Sequence, residues 1–493
     1  MKKPTSLAMI LVLNVISLAT IAAQQPLDRN QIPSPAKTPV LQVPASTKTT
    51  LPNGATLVIS EQHNLPLVFF AITFVGGADQ FEASGRRGLA SLTASMLSEG
   101  TTTKTGDQLS DAMQLLGTNI GTTMLGEQGS MGFVSTTKNF SAALAILQDM
   151  MLNPTFPPEA LERLRGRVLV NLTQQKDQPE TIGAAVFAKI LYGAEHPYGT
   201  RATEASVKAI TRDDVVAFHK AYFQPGHAVI TVVGDVSSAA AKKTIEQALK
   251  VWTKGGAKPS FAYPKPLERG PATIYLVDKP GAAQSVVNIG LPGPARKTPD
   301  YFALQVLNYI LGGHFQSRLN ANLREQHGYS YSVNSSFAYG KGPGPFRAGG
   351  AVVSGKTDAA LIEFMKELRG IVTERPITDE EFKMAKDALI QGLPRNFGSV
   401  AAIGSAITGL VIQDLPDDYY QNYARNVAAV TREDLARVAK QYIDLGRLAI
   451  VIVGDRASVE APLKATGLAP ITILDAEGNP ATATSGATNK PGD

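Results

Sequence analysis

The chain has 493 residues, of which 44% are apolar and 18% charged, and a formal net charge of +5. A single hydrophobic core stops growing near ~250–300 residues, so this length implies at least two domains, and the apolar content excludes global disorder. The small net charge, without any run of five Lys or Arg, excludes an electrostatic nucleic-acid footprint, and the absence of cysteine excludes disulfides, thiol nucleophiles and thiolate metal sites.

Residues 1–23 open with Lys2 and Lys3, continue through an apolar stretch and close on small residues at Ala22 and Ala23. That is the layout of a signal peptide, with a retained membrane anchor as the alternative; the stretch falls short of the ~20 apolar residues of a spanning helix, so cleavage near Ala22 or Ala23 and an exported, periplasmic or extracellular location are expected. Residues 24–46 carry Pro26, Pro33, Pro35, Pro39 and Pro44 and read as an extended spacer.

A first domain is expected over 47–255. Residues 56–75 read as two strands around a turn near Asn64, and helical patterns fill much of 88–171. Residues 210–235 align without a gap on 430–455, at an offset of 220. Thr211/Thr431, Asp214/Asp434, Tyr222/Tyr442, Gly226/Gly446 and Asp235/Asp455 are among the identical pairs. A repeat this long marks two copies of one domain. In each copy Thr211 or Thr431 is a helix N-cap, and a continuous apolar run (AVITVVG, LAIVIVG) suits a strand covered on both faces. A Gly/Pro/Lys-rich linker over 256–269 leads to a second domain at 270–465, with strands within 273–291, a helix over 300–311 and a low-complexity tail from 466 to 493. The predicted class is α+β, two homologous domains, each a mostly antiparallel sheet with helices on one face.

The chemistry turns on residues 88–101, GLASLTASMLSEGT, where the apolar spacing of Leu89, Leu92, Met96 and Leu97 predicts a helix with Ser91 and Ser95 on one face. This segment resembles the stretch GLAHxxEHMxxxGT of the pitrilysin/insulinase zinc metallopeptidases, the family that includes mitochondrial processing peptidase. The resemblance implies two zinc-binding His and a Glu base on one helix; here Ser91, Ala94 and Ser95 occupy those places. The family's third ligand, a Glu in a helix resembling ERxRxxVLxE, falls at Asn171 of ALERLRGRVLVNLTQQ, with Glu162, Arg163, Arg165, Val168 and Leu169 holding the register. The six His (His63, His196, His219, His227, His314, His327) include no pair at helical ligand spacing. No zinc is therefore expected in this chain.

The second half keeps what the first has lost. LGGHFQSRL at 311–319 and LREQHGYSYSV at 323–333 resemble the family's LGGGxxSRLxxxLRExxGLAYSV, a Gly-rich substrate-binding loop followed by an Arg and a Tyr seven residues apart. The resemblance implies substrate binding at Gly312, Gly313, Arg324 and Tyr331, with the last two completing a catalytic site. Gly328 is expected to end the helix carrying Arg324, and alternation from Tyr329 to Asn334 predicts a strand. Arg324 would donate to a peptide carbonyl and Tyr331 to the oxyanion formed there. Two-domain relatives divide labour between an HxxEH-bearing subunit and a sister that carries the Arg/Tyr pair. The expected function is thus the non-catalytic, substrate-binding subunit of a heterodimeric exported zinc peptidase, with zinc in the partner and a peptide or unfolded polypeptide as substrate. The alternative is a catalytically silent peptide-binding or scaffold protein of the same fold.

Overall fold

The structure is a computed structural model that describes residues 42–256 and 260–481. The expected signal peptide over 1–23, the spacer up to residue 41 and the tail beyond 481 lie outside the described residues. Among the described residues twelve strands run in chain order: β1 (Thr47–Thr50), β2 (Thr56–Glu61), β3 (Leu67–Val75), β4 (Gly121–Leu125), β5 (Gln128–Thr136), β6 (Ala228–Gly234), β7 (Thr273–Asp278), β8 (Gln284–Pro292), β9 (Val333–Phe337), β10 (Pro345–Val353), β11 (Ala449–Gly454) and β12 (Ile471–Leu474). They form two six-stranded sheets, ordered β1-β2-β6-β3-β5-β4 and β12-β7-β11-β8-β10-β9. Pairing is mostly antiparallel, with parallel contacts between β2 and β6, β7 and β11, and β7 and β12. The α+β class and the two-copy organisation expected from the repeat are both present.

Eight helices position the features discussed below: α1 (Leu89–Met96), α2 (Pro158–Gln175), α3 (Pro179–Tyr192), α4 (Arg212–Tyr222), α5 (Tyr301–Leu311), α6 (Asp379–Gly392), α7 (Val400–Ile412) and α8 (Arg432–Tyr442). The repeated helices α4 and α8 start as expected: the hydroxyls of Thr211 and Thr431 accept the backbone N–H of Asp214 and Asp434, and those Asp side chains accept in return. Each sheet has its own core. In the first, Phe70, Phe74 and Tyr222 are fully buried with Leu92 and Met96 of α1, each large side chain contributing about 1.5–3 kcal/mol by its removal from water.

The second faces of the sheets are covered as well, by an exchange between the halves. Ile182, Val186, Phe187 and Leu191 of α3, a helix of the first half, pack on Val286, Val451 and Val453 of the second sheet. Reciprocally, Ile403, Ile407 and Ile412 of α7 pack on Val58, Val229 and Val233 of the first sheet, and the buried hydroxyls of Thr231 and Thr408 share a 2.7 Å hydrogen bond. This is why β6 and β11 are apolar at nearly every position, and it corrects the expectation of helices on one face only. The described residues from Val43 onward accordingly pack as one unit, although each half keeps its own sheet. The stretch from 466 also differs from the expected tail: Ile471 to Leu474 add a parallel strand to β7, burying Leu474. Among the described residues no single helix is long and apolar enough to cross a membrane.

Candidate functional site

Helix α1 is set by its own N-terminus. Gly88 adopts φ +102°, where a Cβ would press on Val207, and the Glu82 carboxylate accepts the backbone N–H groups of Gly88 and Ala90 at 3.2 and 2.6 Å. Burial pushes the Glu82 carboxyl above its usual range, and Arg87 stands 3.9 Å away. Sequence patterns do not point to Glu82, because a carboxylate seven residues ahead of a helix gives no local capping signal.

Ser91 and Ser95 share one face of α1, as their spacing predicts. Ser91 is half-buried and its hydroxyl donates to the Gly88 carbonyl at 3.0 Å; Ser95 is exposed and donates to the Ser91 carbonyl at 3.0 Å. Ala94 is buried. Asn171 is exposed on α2, which packs against α1. The residues that fix the register of α2 are engaged: Arg163 pairs with Glu99, while Arg165 pairs with Glu162 and donates to the Ile210 carbonyl at 2.7 Å. The four positions that the resemblance assigns to a metal site thus carry two hydroxyls, a methyl and a carboxamide. This set does not fit zinc, which takes imidazole, thiolate or carboxylate. Among the described residues no group of three or more His, Cys, Asp or Glu is arranged to hold a metal ion.

In the second half, Gly312 and Gly313 end α5 with both backbone N–H groups on the Asn308 carbonyl, at 3.0 and 2.7 Å. A Cβ at Gly312 would stand 2.4 Å from the Ser335 backbone nitrogen, so glycine is needed where the loop closes on β9. The Ser335 N–H donates to the Gly312 carbonyl at 3.1 Å and the Val333 N–H to the Asn320 side chain at 3.1 Å. The loop thus occupies the outer edge of β9 at these two positions, and a peptide cannot add a strand there. The opposite sheet leaves β4, its edge strand beside α1, paired only with β5. His314, which departs from the small residue common in the family loop, stacks on Tyr309 with 4.2 Å between ring centres. Burial lowers its pKa.

Arg324 sits in a short, wide helix, Ala321–Gln326, that ends at Gly328 with φ +63°, as expected. Its guanidinium carbon lies 4.0 Å from the ring centre of Phe315, on the Gly-rich loop, and 5.2 Å from that of Tyr331. Nη1 is shielded from solvent and makes no hydrogen bond, with Glu325 3.6 Å away. Tyr331 is 84% exposed and Phe315 59% exposed. Arg324 and Tyr331 thus stand beside each other across the helix end. The strand, however, begins only at Val333, because the Ser330 hydroxyl donates to the Ala351 carbonyl, accepts the Ser332 N–H and bends the chain. Phe315 is a site residue that the sequence reading misses; its one signal there is a large aromatic in an otherwise small and polar loop.

Of the remaining His, His196 and His219 serve the core. His196 accepts from the Tyr198 N–H and bonds the Pro264 carbonyl, His219 bonds the Met151 carbonyl at 2.8 Å, and burial lowers both pKa values.

With this geometry in place, residues 57–196 match the family model described as Insulinase (Peptidase family M16), and residues 209–389 match that described as Peptidase M16 inactive domain. The chain is 27% identical over 353 residues to an uncharacterized zinc protease of Mycobacterium leprae, covering 70% of this chain and 78% of that one. It is 22% identical over 405 residues to a chain of Helicobacter pylori named non-peptidase homolog YmxG, covering 81% and 92%. Among solved structures, a peptidase M16 inactive domain from Pseudomonas fluorescens superposes with a TM-score of 0.75 at 25% identity, covering 83% of this chain and 98% of that one. A protease from Helicobacter pylori gives 0.77 at 19% identity, covering 84% and 100%, a likeness of fold.

Proposed function

The chain belongs to the insulinase family of peptidases (peptidase M16), and from that premise we propose that it is the non-catalytic, peptide-binding subunit of an exported heterodimeric zinc peptidase. The observation that carries this reading is the contrast between the two halves. Ser91, Ala94, Ser95 and Asn171 leave no metal donors, while Arg324 and Tyr331 stand together at an exposed site beside the Gly-rich loop. A sister chain bearing HxxEH would hold the metal and the base.

The roles of this chain's residues follow from their chemistry. The Arg324 fork, with Nη1 not yet hydrogen-bonded, donates to a peptide carbonyl once a ring moves aside. The Tyr331 hydroxyl donates to the oxyanion as it develops, an interaction worth more in the transition state than in the ground state. Gly312 and Gly313 let the loop close on β9 and on the end of α5, and the open edge of β4 accepts main-chain pairing, which tolerates many sequences. The signal-peptide layout of residues 1–23 supports export.

The test is reconstitution with an HxxEH-bearing sister chain. Peptide hydrolysis is expected, and Tyr331→Phe should lower kcat by about 10²–10³-fold with KM little changed. An unchanged kcat removes Tyr331 from the reaction. The second reading, a silent peptide-holding or scaffold protein, is favoured by the name non-peptidase homolog carried by the Helicobacter pylori relative; it predicts no zinc-bearing partner in the native assembly.

A further inference from the structure

Arg347 of β10 projects from the face of the second sheet on which α3 packs, and it is only half-exposed. Its Nε donates to the Asn288 carboxamide oxygen and its Nη1 to that of Asn334 at 2.9 Å. Among the described residues no carboxylate pairs with it. The more deeply buried Arg318, by contrast, faces the Glu381 carboxylate. Burial lowers the Arg347 pKa, the mark of a positive charge without compensation.

Asn288 is 1% exposed, and since Arg347 offers only donors, its oxygen must face the guanidinium. Its Nδ2 is left buried with no partner, under Gly183 of α3, where a Cβ would stand 2.7 Å away. An unsatisfied buried amide costs about 1–3 kcal/mol, so this network is not a device for stability.

The internal repeat shows that the fold does not require it. The pairing registers make Ala71 the counterpart of Asn288, Ser130 that of Arg347 and Gly121 that of Asn334, because Ala71 pairs with Thr231 and Gly132 as Asn288 pairs with Val451 and Gly349. The same lattice positions in the first sheet are thus filled by small residues, and Gly132 and Gly349 are identical. One copy of the domain carries a half-exposed cation with two carboxamides that hold it, and the other does not.

With Nε and one Nη1 hydrogen engaged, the remaining donors are on Nη1 and Nη2, the pair that meets a carboxylate end-on. The neighbouring outward residues of β9, Asn334 and Ser336, are exposed. Ser336, the strand partner of Arg347, is five residues along the chain from Tyr331, a span of no more than about 18 Å in an extended chain.

We infer that Arg347, oriented by Asn288 and Asn334, binds a peptide carboxylate, either the C-terminal group or an Asp/Glu side chain, some four to six residues from the bond presented to Tyr331. The inference rests on the peptide-binding reading above and adds a charge preference at a stated place. The probes are three fluorescein-labelled peptides of Ala, Ser and Thr: one with a free C-terminal carboxylate, its C-terminal amide, and the amide carrying one internal Glu. With the full mature chain at low salt, at least one carboxylate peptide is expected to bind about tenfold more tightly than the plain amide, and which one does identifies the source. Arg347→Gln should bring that peptide to within about twofold of the amide without weakening the amide itself. Asn334→Ala, at an exposed position, should reduce the discrimination if Arg347→Gln lowers Tm. Equal binding of all three by the wild-type chain overturns this inference alone, whereas no binding of any peptide overturns the peptide-binding reading and this inference with it.

Discussion

Gly404 of α7 lies flat against the ring of Phe69 on β3, so close that a Cβ at this position would stand 2.2 Å from the ring edge. The contact joins the second half of the chain to the sheet of the first. Gly404→Ala is expected to destabilise by about 1–3 kcal/mol, since overpacking outweighs the ~1 kcal/mol gained in helix propensity. At Gly409, on the same helix, a Cβ would have no neighbour within 4 Å, so Gly409→Ala should be neutral or stabilising by up to about 1 kcal/mol. Urea midpoints of the two variants provide the comparison, and equal effects would mean that the α7 docking is looser than the packing implies.

Chelation gives a second expectation. With hydroxyls, a methyl and a carboxamide at 91, 94, 95 and 171, the purified chain should hold less than about 0.1 zinc, and excess EDTA should shift its Tm by less than about 1 °C. A stoichiometric, stabilising metal would overturn the reading of this half as one without a metal site.

The fold is legible in the sequence wherever patterns are local or repeated. Thr211 and Thr431 announce their helices through their own hydroxyls, and the apolar runs of β6 and β11 announce two covered faces. What covers those faces is not legible, because α3 and α7 turn their apolar sides toward a sheet far away in chain order, and periodicity does not name a partner. The same division holds at the site. The seven-residue spacing brings Arg324 and Tyr331 together, yet Phe315 reaches Arg324 only through the course of the loop, and Arg347 meets Asn288 only through strand register. The late start of β9 arises from a single hydroxyl, Ser330, whose bonds to the Ala351 carbonyl and from the Ser332 N–H override the alternating pattern.

Asp79 supplies a pH dependence. Burial, reinforced by the nearby charge of Glu127 and to a lesser extent Glu82, raises its pKa from 3.8 to about 6, with Arg87 acting in the opposite direction. A raised folded-state value means that the stability associated with this group is fully present below 3.8 and is lost as pH rises through about 6. Asp79→Asn should therefore stabilise the chain at pH 7.5 by about 1–2 kcal/mol, after allowance for partial exposure, and have little effect near pH 4. Urea titrations of both proteins at the two pH values test this; a benefit that does not change with pH would assign the effect to something other than the charge.

Arg318 closes the Gly-rich loop, and its side chain is 4% exposed. The guanidinium meets both Glu381 oxygens, at 2.7 and 2.6 Å, and donates to the Arg375 and Pro376 carbonyls, which pins the loop to α6 and the segment before it. Burial alone would raise the Glu381 pKa, but the bonds from Arg318 and Thr378 outweigh it and hold the carboxyl below its ordinary value. The stability this pair contributes is present above the ordinary glutamate range and is lost as pH falls through the lowered value. Arg318→Met should cost about 3–5 kcal/mol at pH 7 by leaving a charge without its partner, and the double variant Arg318→Met/Glu381→Leu should recover most of that loss. Stability curves for the two single variants and the double variant give the coupling directly. A strong coupling at pH 7 that fades in acid is expected, whereas additive losses would show that the loop is held by its backbone bonds rather than by this pair.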